Sequence, residues 1–246
     1  MKTENDTIAI YGQPGSRARA SGILQAALPL CAVLLLSGYA IGALLPWPEI
    51  GIAWKCVLVG AAAAAILATT VFTARRIDAF FKGASGEEAI AYVLARLPVG
   101  YAVFHGVDIA RKGGPFRTHD FDHVVLTPSR LVVVETKNWH GRLTFRDGAL
   151  QIDGITPERP PVVQTADEAS ALSDWLAGKT PEPVAVAPVL CFAGDALPDG
   201  IPPEIGGVRV CDRATLVDAI VAGESGAMPL PPATRERISL ALRGQV

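Results

Sequence analysis

Two charged side chains stand at the end of an otherwise apolar segment near the middle of the chain. Leu131–Lys137 begins with a leucine and three valines, a composition typical of a buried β-strand, and then continues through Glu135 and Lys137. Because side chains alternate across a strand, both charges lie on one face, together with Val133. Burying such charges is costly unless they pair with each other or bind a metal ion. The pattern therefore indicates either an ion pair within the strand, at a sheet edge, or a functional site.

A third charged residue, Asp122, interrupts the preceding apolar segment Phe121–Leu126. If the two strands are neighbours, Asp122 and Glu135 converge at one edge of the sheet. Two carboxylates and water form a site of hard oxygen ligands, which suits Mg²⁺ or Mn²⁺. Such an ion lowers the pKa of bound water and stabilises charge on a transferring phosphoryl group. Lys137 on the same face can hold the attacking water or the phosphate, so the three residues predict a site that cleaves phosphodiesters.

Two histidines near Asp122 suggest zinc as an alternative metal. On a regular strand His119, Phe121 and His123 lie on the face opposite Asp122, so they do not converge with its carboxylate. Histidines satisfied in the core or at the sheet edge are the other explanation of this pattern. The four cysteines contain no Cys-x-x-Cys pair, which disfavours a structural zinc site.

The elements that position these residues follow from periodicity and turn signals. Ser85, with Glu88 three residues on, has the pattern of a helix start, and apolar residues recur at helical spacing up to Pro98. The predicted strands are 101–107, 121–126, 131–137, a hairpin of 142–145 and 149–152, and 184–192. A turn is predicted at 111–116, and further helices at 160–176, 212–221 and 232–242. This order predicts an α/β fold of mixed layers around a central sheet.

Four short motifs in this order resemble the nuclease-related domain family, NERD, of the PD-(D/E)XK nuclease superfamily. The motifs are Gly83-Ala-Ser-Gly-Glu-Glu88, Phe121-Asp-His-Val-Val-Leu-Thr-Pro128, Val133-Val-Glu-Thr-Lys-Asn138 with Gly141, and Pro160-Pro-Val-Val-Gln164. The resemblance implies an αβββαβ restriction-endonuclease-like core with a central mixed sheet. The acid lies on the second strand of that core and Glu-x-Lys on the third.

By position, the resemblance also implies the roles of individual residues. Asp122 and Glu135 are the expected metal ligands, and Lys137 is the expected catalytic lysine. Glu87 is expected to complete the metal shell, and Gln164 to contact the backbone or the substrate as part of the catalytic set. Acids in the first turn of a helix are also common without any such role, and Gln164 also suits a helix surface. One departure is Phe121, which stands where many restriction endonucleases have proline.

Composition separates the chain into an apolar part and an acidic part. Hydrophobic residues make up 50% of the 246 residues and charged residues 19%, against about 25% charged in typical soluble domains. These fractions exclude intrinsic disorder and disfavour a purely soluble chain. Four cysteines in a chain of this length exclude a disulfide-dense scaffold. Residues 83–246 carry 15 basic and 20 acidic side chains, after the seven bases and four acids before Gly83 are removed from the totals of 22 and 24. A basic nucleic-acid footprint is therefore absent overall, although Arg111, Lys112 and Arg117 offer a local patch.

The apolar part consists of two uncharged segments that are long enough to cross a membrane. After an N-terminal tail, 1–20, transmembrane helices are predicted at 21–46 and 56–75. Bases flank both outer ends of this pair, at 17–19 and 75–82, which predicts that both termini are cytoplasmic. A cleaved signal peptide and a pair of buried helices remain alternatives. The NERD core is expected over 83–180, and 181–246 is expected to complete the domain.

These patterns predict a multi-pass protein of the inner (plasma) membrane with a cytoplasmic nuclease domain. The expected activity is metal-dependent hydrolysis of nucleic-acid phosphodiester bonds, with Mg²⁺ or Mn²⁺ as cofactor. The expected partners are nucleic acid, DNA rather than RNA, and the lipid bilayer. The alternative is a non-catalytic, membrane-tethered NERD module that binds nucleic acid or a protein partner, and the acidic charge of the domain favours it. The oligomeric state and the choice between endo- and exonuclease are left open by the sequence.

Overall fold

The computed structural model describes residues 8–44, 46–110 and 118–246. These residues divide into two compact units, one formed by 17–84 and the other by 8–16 together with 85–246. The predicted turn at 111–116 and the basic patch formed by Arg111, Lys112 and Arg117 lie outside the described residues.

The unit of residues 17–84 consists of long apolar helices. Helix α1 spans Ser16–Leu44 and helix α2 spans Ile52–Leu94. The most apolar windows of the two helices have mean hydropathies of 1.9 and 2.1, and only 6% of each window is buried. Neither window is therefore a core helix of this structure, and both helices are candidate membrane spans. The helix bounds differ from the predicted spans because α1 begins before residue 21 and ends before 46, while α2 extends well beyond 75.

The other unit is built around one seven-stranded mixed sheet. Its strands follow the order β1-β2-β3-β4-β7-β9-β8, and β5 and β6 form a separate hairpin. The strands are β1 (Ala9–Tyr11), β2 (Ala102–Ala110), β3 (Thr118–Leu126), β4 (Leu131–Lys137), β5 (Leu143–Arg146), β6 (Ala149–Ile152), β7 (Val186–Phe192), β8 (Glu204–Ile205) and β9 (Val208–Asp212). Strands β2, β3 and β4 are antiparallel neighbours, and β4, β7 and β9 run parallel to one another. The predicted α/β fold with a mixed central sheet is thus confirmed.

Helices cover both faces of the sheet, which explains the nearly continuous valines of β4. Helices α3 (Pro161–Leu176), α4 (Leu216–Ala222) and α5 (Pro232–Arg243) belong to this unit. Val132 and Val134 pack on one face in a cluster that includes residues of α2 and α4. Val133 packs on the other face in a cluster that includes residues of α3 and α5. Strand β4 is therefore the buried centre of the fold, and its C-terminal end can carry a site that the packed sheet holds rigidly.

Some predicted elements are wrong. No helix begins at Ser85, because residues 83–88 lie inside α2, where the preceding helical turn already supplies the carbonyl partners that a cap would replace. Asp212 does not cap α4 directly. It ends β9, and its Oδ1 accepts hydrogen bonds from the backbone N–H groups of Ala214 and Thr215 just before the helix. Strands β1, β8 and β9 were not predicted.

Candidate active site

The candidate site begins where β3 and β4 stop pairing with each other. The ladder runs from Leu126 opposite Leu131 to His123 opposite Val134 and goes no further. At the next position the Asp122 carboxylate accepts a hydrogen bond from the backbone N–H of Thr136, with 2.8 Å between Oδ2 and N. A side chain therefore replaces the ladder, and Asp122 is held beside the end of β4, as its predicted convergence with Glu135 requires.

Glu135 and Lys137 lie on one face of β4 and pair with each other. Lys137 Nζ donates to Glu135 Oε1 at 2.5 Å and to Gln164 Oε1 at 3.0 Å. The Glu135 side chain is 5% exposed and the Lys137 side chain 19% exposed, so the ammonium is the more accessible group. The ion pair within the strand, which the sequence left as an alternative, is thus present. It is one part of a larger network.

Helix α3 supplies the rest of this network. Gln164 Nε2 donates to Glu135 Oε1 at 2.5 Å and to Glu168 Oε1 at 2.9 Å. Gln164 and Glu168 are four residues apart and therefore lie on one face of the helix, directed at β4. Gln164 is consequently a linker between two carboxylates and the lysine, rather than a surface residue.

Glu168 is a site residue that the sequence analysis missed. It is 5% exposed, and its Oε2 is buried without a hydrogen-bond partner among the residues that the structure describes. Its spacing of four residues from Gln164 was the available signal. One acid on a helix is nevertheless unremarkable in a sequence, because nothing there shows that this face is buried.

Glu87 approaches the site from α2, and the N-terminal segment holds it. Glu87 Oε2 accepts a hydrogen bond from the backbone N–H of Gly15 at 2.9 Å. The preceding residue, Gly86, is buried against Asn138, and a Cβ atom added to Gly86 would lie 2.6 Å from Asn138 Cβ. Glycine at position 86 therefore allows the helix to approach the end of β4. Because α2 does not begin here, the alternative in which Glu87 complements a helix N-terminus is wrong.

The position of Glu87 depends on residues that precede α1. Strand β1 pairs in parallel with β2, with Ile10 opposite Val103. Tyr11 stacks on Phe104 with 5.1 Å between the ring centroids. The guanidinium of Arg243 lies over the Tyr11 ring, 4.2 Å from its centroid. These contacts fix the start of the loop that ends at Gly15, so the segment predicted as a tail is part of the site.

Three acids of this cluster have raised pKa values. Burial raises the pKa of Asp122 well above its usual range, and the charges of Glu135 and Glu87 raise it further. Burial also raises the pKa of Glu87 to about 7 and that of Glu168 to about 8, with Glu135 contributing to both. With Lys137 as the cation of the network, the cluster is short of positive charge. At neutral pH protons therefore occupy part of it.

This shortage bears on whether the residues fit a divalent cation. Carboxylate oxygens are the ligands that Mg²⁺ and Mn²⁺ prefer. A buried carboxylate oxygen without a hydrogen-bond partner in the described part of the chain, such as Glu168 Oε2, can coordinate a cation. Among the described residues, no group of three or more His, Cys, Asp or Glu side chains already converges as metal ligands. In this arrangement the Lys137 ammonium contacts Glu135, where a metal ion would compete for the same oxygen. The donor chemistry fits, and the ligands would have to close around the ion.

A cleft of about 850 Å³ opens beside the cluster, between β3 and α3. Asp122, Glu135, Gln164 and Glu168 are among the residues that line it. The described lining also includes three more acids and an arginine, namely Asp120, Asp167, Asp174 and Arg159. The cleft can hold a segment of a polymer, but its charge repels an anion until cations neutralise it.

His123, one of the two histidines that suggested zinc, is buried beside His105. Their Nδ1 atoms are 2.8 Å apart, and burial lowers the pKa of both rings. Phe121 instead packs in the cluster that contains Val124. The strict alternation assumed for 119–123 breaks at Asp122, opposite Gly106 of β2, which has a positive φ of 62°; the pairing of β2 with β3 skips this position and keeps its register.

Residues 82–193 match the family model described as nuclease-related domain (NERD). A crystal structure of protein VC1899 from Vibrio cholerae is similar at 13% sequence identity and a TM-score of 0.32, over 87% of this chain. The chain spans 57% of the length of that protein. No curated protein shows significant similarity to the chain.

Proposed function

Because residues 82–193 form a nuclease-related domain, we propose that the protein is a membrane-anchored, metal-dependent nuclease. It hydrolyses phosphodiester bonds of nucleic acid, DNA rather than RNA, on the cytoplasmic side of the inner membrane. The observation that carries the proposal is the junction at the ends of β3 and β4. There Asp122 replaces the strand ladder beside Glu135 and Lys137.

Asp122, Glu135 and Glu87 would hold Mg²⁺ or Mn²⁺ in this proposal. When bound, the ion would lower the pKa of a water molecule and stabilise negative charge on the phosphoryl group. The rigid positions of Asp122, on the Thr136 N–H, and of Glu87, on the Gly15 N–H, reduce the entropy lost when these side chains become ligands.

Lys137 is the catalytic residue in the proposal. Its ammonium is the exposed end of the network, so it can hold the attacking water and compensate the charge on the phosphoryl oxygens. Gln164 is a positioning residue, because its amide oxygen accepts from Lys137 while its amide nitrogen donates to Glu135. Glu168 fixes the orientation of that amide by accepting its second N–H.

The acid-lined cleft supports metal dependence of substrate binding as well as of cleavage. A polyanion approaching Asp120, Asp167 and Asp174 meets charges of its own sign. Divalent cations neutralise such a surface, and exposed Arg159 is an arginine in the part of the lining that the structure describes. The same acidity favours the second candidate, a tethered module that binds a protein partner without catalysis.

The sheet supports the membrane topology that the flanking bases indicate. Strand β1 precedes α1 in the chain, whereas β2 follows α2, yet the two strands pair within one sheet. Residues 9–11 and 102–110 must therefore lie on the same side of any membrane that the helices cross. Two membrane spans satisfy this requirement, whereas a single span does not. Arg17 and Arg76 flank the two helices, and these bases favour the cytoplasm as the side on which the sheet lies.

The test is cleavage of labelled DNA by the full-length protein in detergent micelles with Mg²⁺ or Mn²⁺. We expect the double variant Lys137→Ala/Glu135→Ala to lose at least about 100-fold in rate. Removing both members of the pair takes away one negative and one positive charge, so the net charge of the cluster is unchanged. Exposed Glu236→Ala on α5 is the matched control. Undiminished cleavage by the double variant would contradict the mechanism, and a folded protein that neither binds Mg²⁺ nor cleaves favours the non-catalytic module.

A further inference from the structure

A second, smaller pocket lies just beyond the lysine end of β4. Its volume is about 260 Å³. Its lining includes an aromatic pair, an arginine and a carboxylate, namely Trp139, Phe192, Arg142 and Asp195. Pockets for drug-sized ligands are about 300–1,000 Å³ in volume, so this pocket suits one small ring system rather than a whole nucleotide. Trp139 follows Lys137 by two residues, which places its backbone within about 7 Å of the catalytic lysine along the chain.

The aromatic wall of the pocket is held in place from behind. Trp139 and Phe192 meet edge to face, with 5.7 Å between centroids and 66° between the ring planes. Phe192 is 5% exposed, whereas Trp139 is only half-buried. One ring therefore anchors the other, and the indole remains available as a stacking surface.

The polar wall is also fixed. The backbone N–H of Arg142 donates to Asp153 Oδ1 at 2.8 Å, and Gly141 adopts a φ of 128°, where a Cβ atom would lie 2.4 Å from Asp153 Oδ2. The Arg142 side chain is exposed and forms no ion pair with any residue in the described ranges. A cation without an ion-pair partner in the described ranges, beside an aromatic surface, is complementary to a phosphate flanking a base.

We propose that this pocket binds one unpaired nucleobase of the substrate next to the phosphate held at Lys137. This inference rests on the proposed nuclease function and specifies its substrate class as single-stranded or locally unpaired nucleic acid. The base stacks on Trp139, Arg142 contacts a flanking phosphate, and Asp195 accepts a hydrogen bond from an amino group of the base. A base inside a duplex can reach such a pocket only after it is unpaired and unstacked. This step costs free energy in a duplex and is not required for an unpaired base in a single strand.

The experiment measures binding of short fluorescent DNA strands to full-length protein in detergent micelles, with Ca²⁺ replacing Mg²⁺. The probes are a single strand, the same strand with abasic sites, and the corresponding duplex. We expect the strand with bases to bind at least about fivefold tighter than the abasic strand, the lower end of base–aromatic stacking. Trp139→Leu removes this ratio and Trp139→Phe retains it. Arg142→Ala weakens both strands equally, and exposed Arg237→Ala on α5 changes neither.

Equal affinity of the wild-type protein for the single strand and for its abasic counterpart would overturn the inference. Tighter binding of the duplex than of the single strand would also overturn it. A folded Trp139→Leu protein with an unchanged ratio would overturn it too. If Trp139→Leu does not fold, the inference is still tested by the wild-type ratio of affinities for the strand with bases and the abasic strand, and by the effect of Arg142→Ala on both strands. If the protein cleaves DNA with metal but binds the two strands equally, the base pocket alone is refuted. If the protein neither cleaves DNA nor binds any strand, the proposed function is refuted as well.

Discussion

The carboxylate cluster predicts that Mg²⁺ binding releases protons. Burial and neighbouring charges hold the pKa of Asp122 well above its usual range, and Glu168, with a pKa of about 8, is mostly protonated at pH 7. Glu87, with a pKa of about 7, is half protonated. A divalent cation favours the ionised form of each group, so binding displaces at least about one proton at pH 7. The affinity for Mg²⁺ therefore increases about 10-fold or more for each pH unit between 6 and 8.

Isothermal titration calorimetry of the full-length protein with MgCl₂ measures this release. Titrations in two buffers that differ in heat of ionisation give the number of protons, and titrations at pH 6, 7 and 8 give the dependence of affinity on pH. Glu168→Gln keeps the shape of the side chain and removes one titrating group. We expect it to lower the release by about one proton at pH 7 while binding persists. Exposed Glu236→Gln is the control and leaves the release unchanged.

Two results would refute different parts of this reasoning. Tight Mg²⁺ binding without proton release would show that the carboxylates are ionised in the free protein, against the effect expected from burial and mutual repulsion. An absence of binding over the whole pH range, with the fold intact, would show that the cluster is not a cation site. The sign is also diagnostic, because affinity that decreases as pH rises has no explanation in groups that must lose protons to bind.

Two glycine substitutions test how the site is held, each against a control. Gly86→Ala is expected to lower stability by about 1–3 kcal/mol and to reduce cleavage, because the added methyl group forces α2 away from β4; Gly83→Ala, which has open space in the same helix, stabilises the protein by up to about 1 kcal/mol. Gly12→Ala and Gly148→Ala share the cost of a positive φ, 78° and 77°. Only the first meets a backbone oxygen, at 2.2 Å, so only the first should also reduce cleavage. Thermal unfolding and the DNA cleavage assay check both pairs, and equal effects within a pair would contradict the packing argument.

The parts of the fold with strong local patterns could be predicted from the sequence. The valines of Leu131–Lys137 gave β4 with the observed bounds, and proline at the start of an amphipathic segment gave α3 as Pro161–Leu176. The approach of Asp122 to Glu135 followed from assuming that consecutive strands are neighbours, which they are in this sheet. These predictions required only nearest-neighbour information.

The predictions that failed required information from distant parts of the chain. Ser85 has the residues of a helix start, but a cap forms only where no preceding turn exists, and the apolar segment before it is helical. The role of Glu168 depends on which face of α3 is buried, and that is decided by β4. The alternation of β3 breaks at Asp122, opposite Gly106 of another strand, so Phe121 packs with Val124 and not on the face that its spacing assigned to it.

The N-terminal segment shows that the site is larger than the stretch that matches the nuclease-related domain. Residues 82–193 contain every carboxylate of the cluster, yet Glu87 is held by Gly15, and Gly15 follows a strand that extends the sheet beyond β2. Without β1, the edge of β2 would present unpaired backbone groups to solvent, and the Gly15 N–H would no longer reach Glu87.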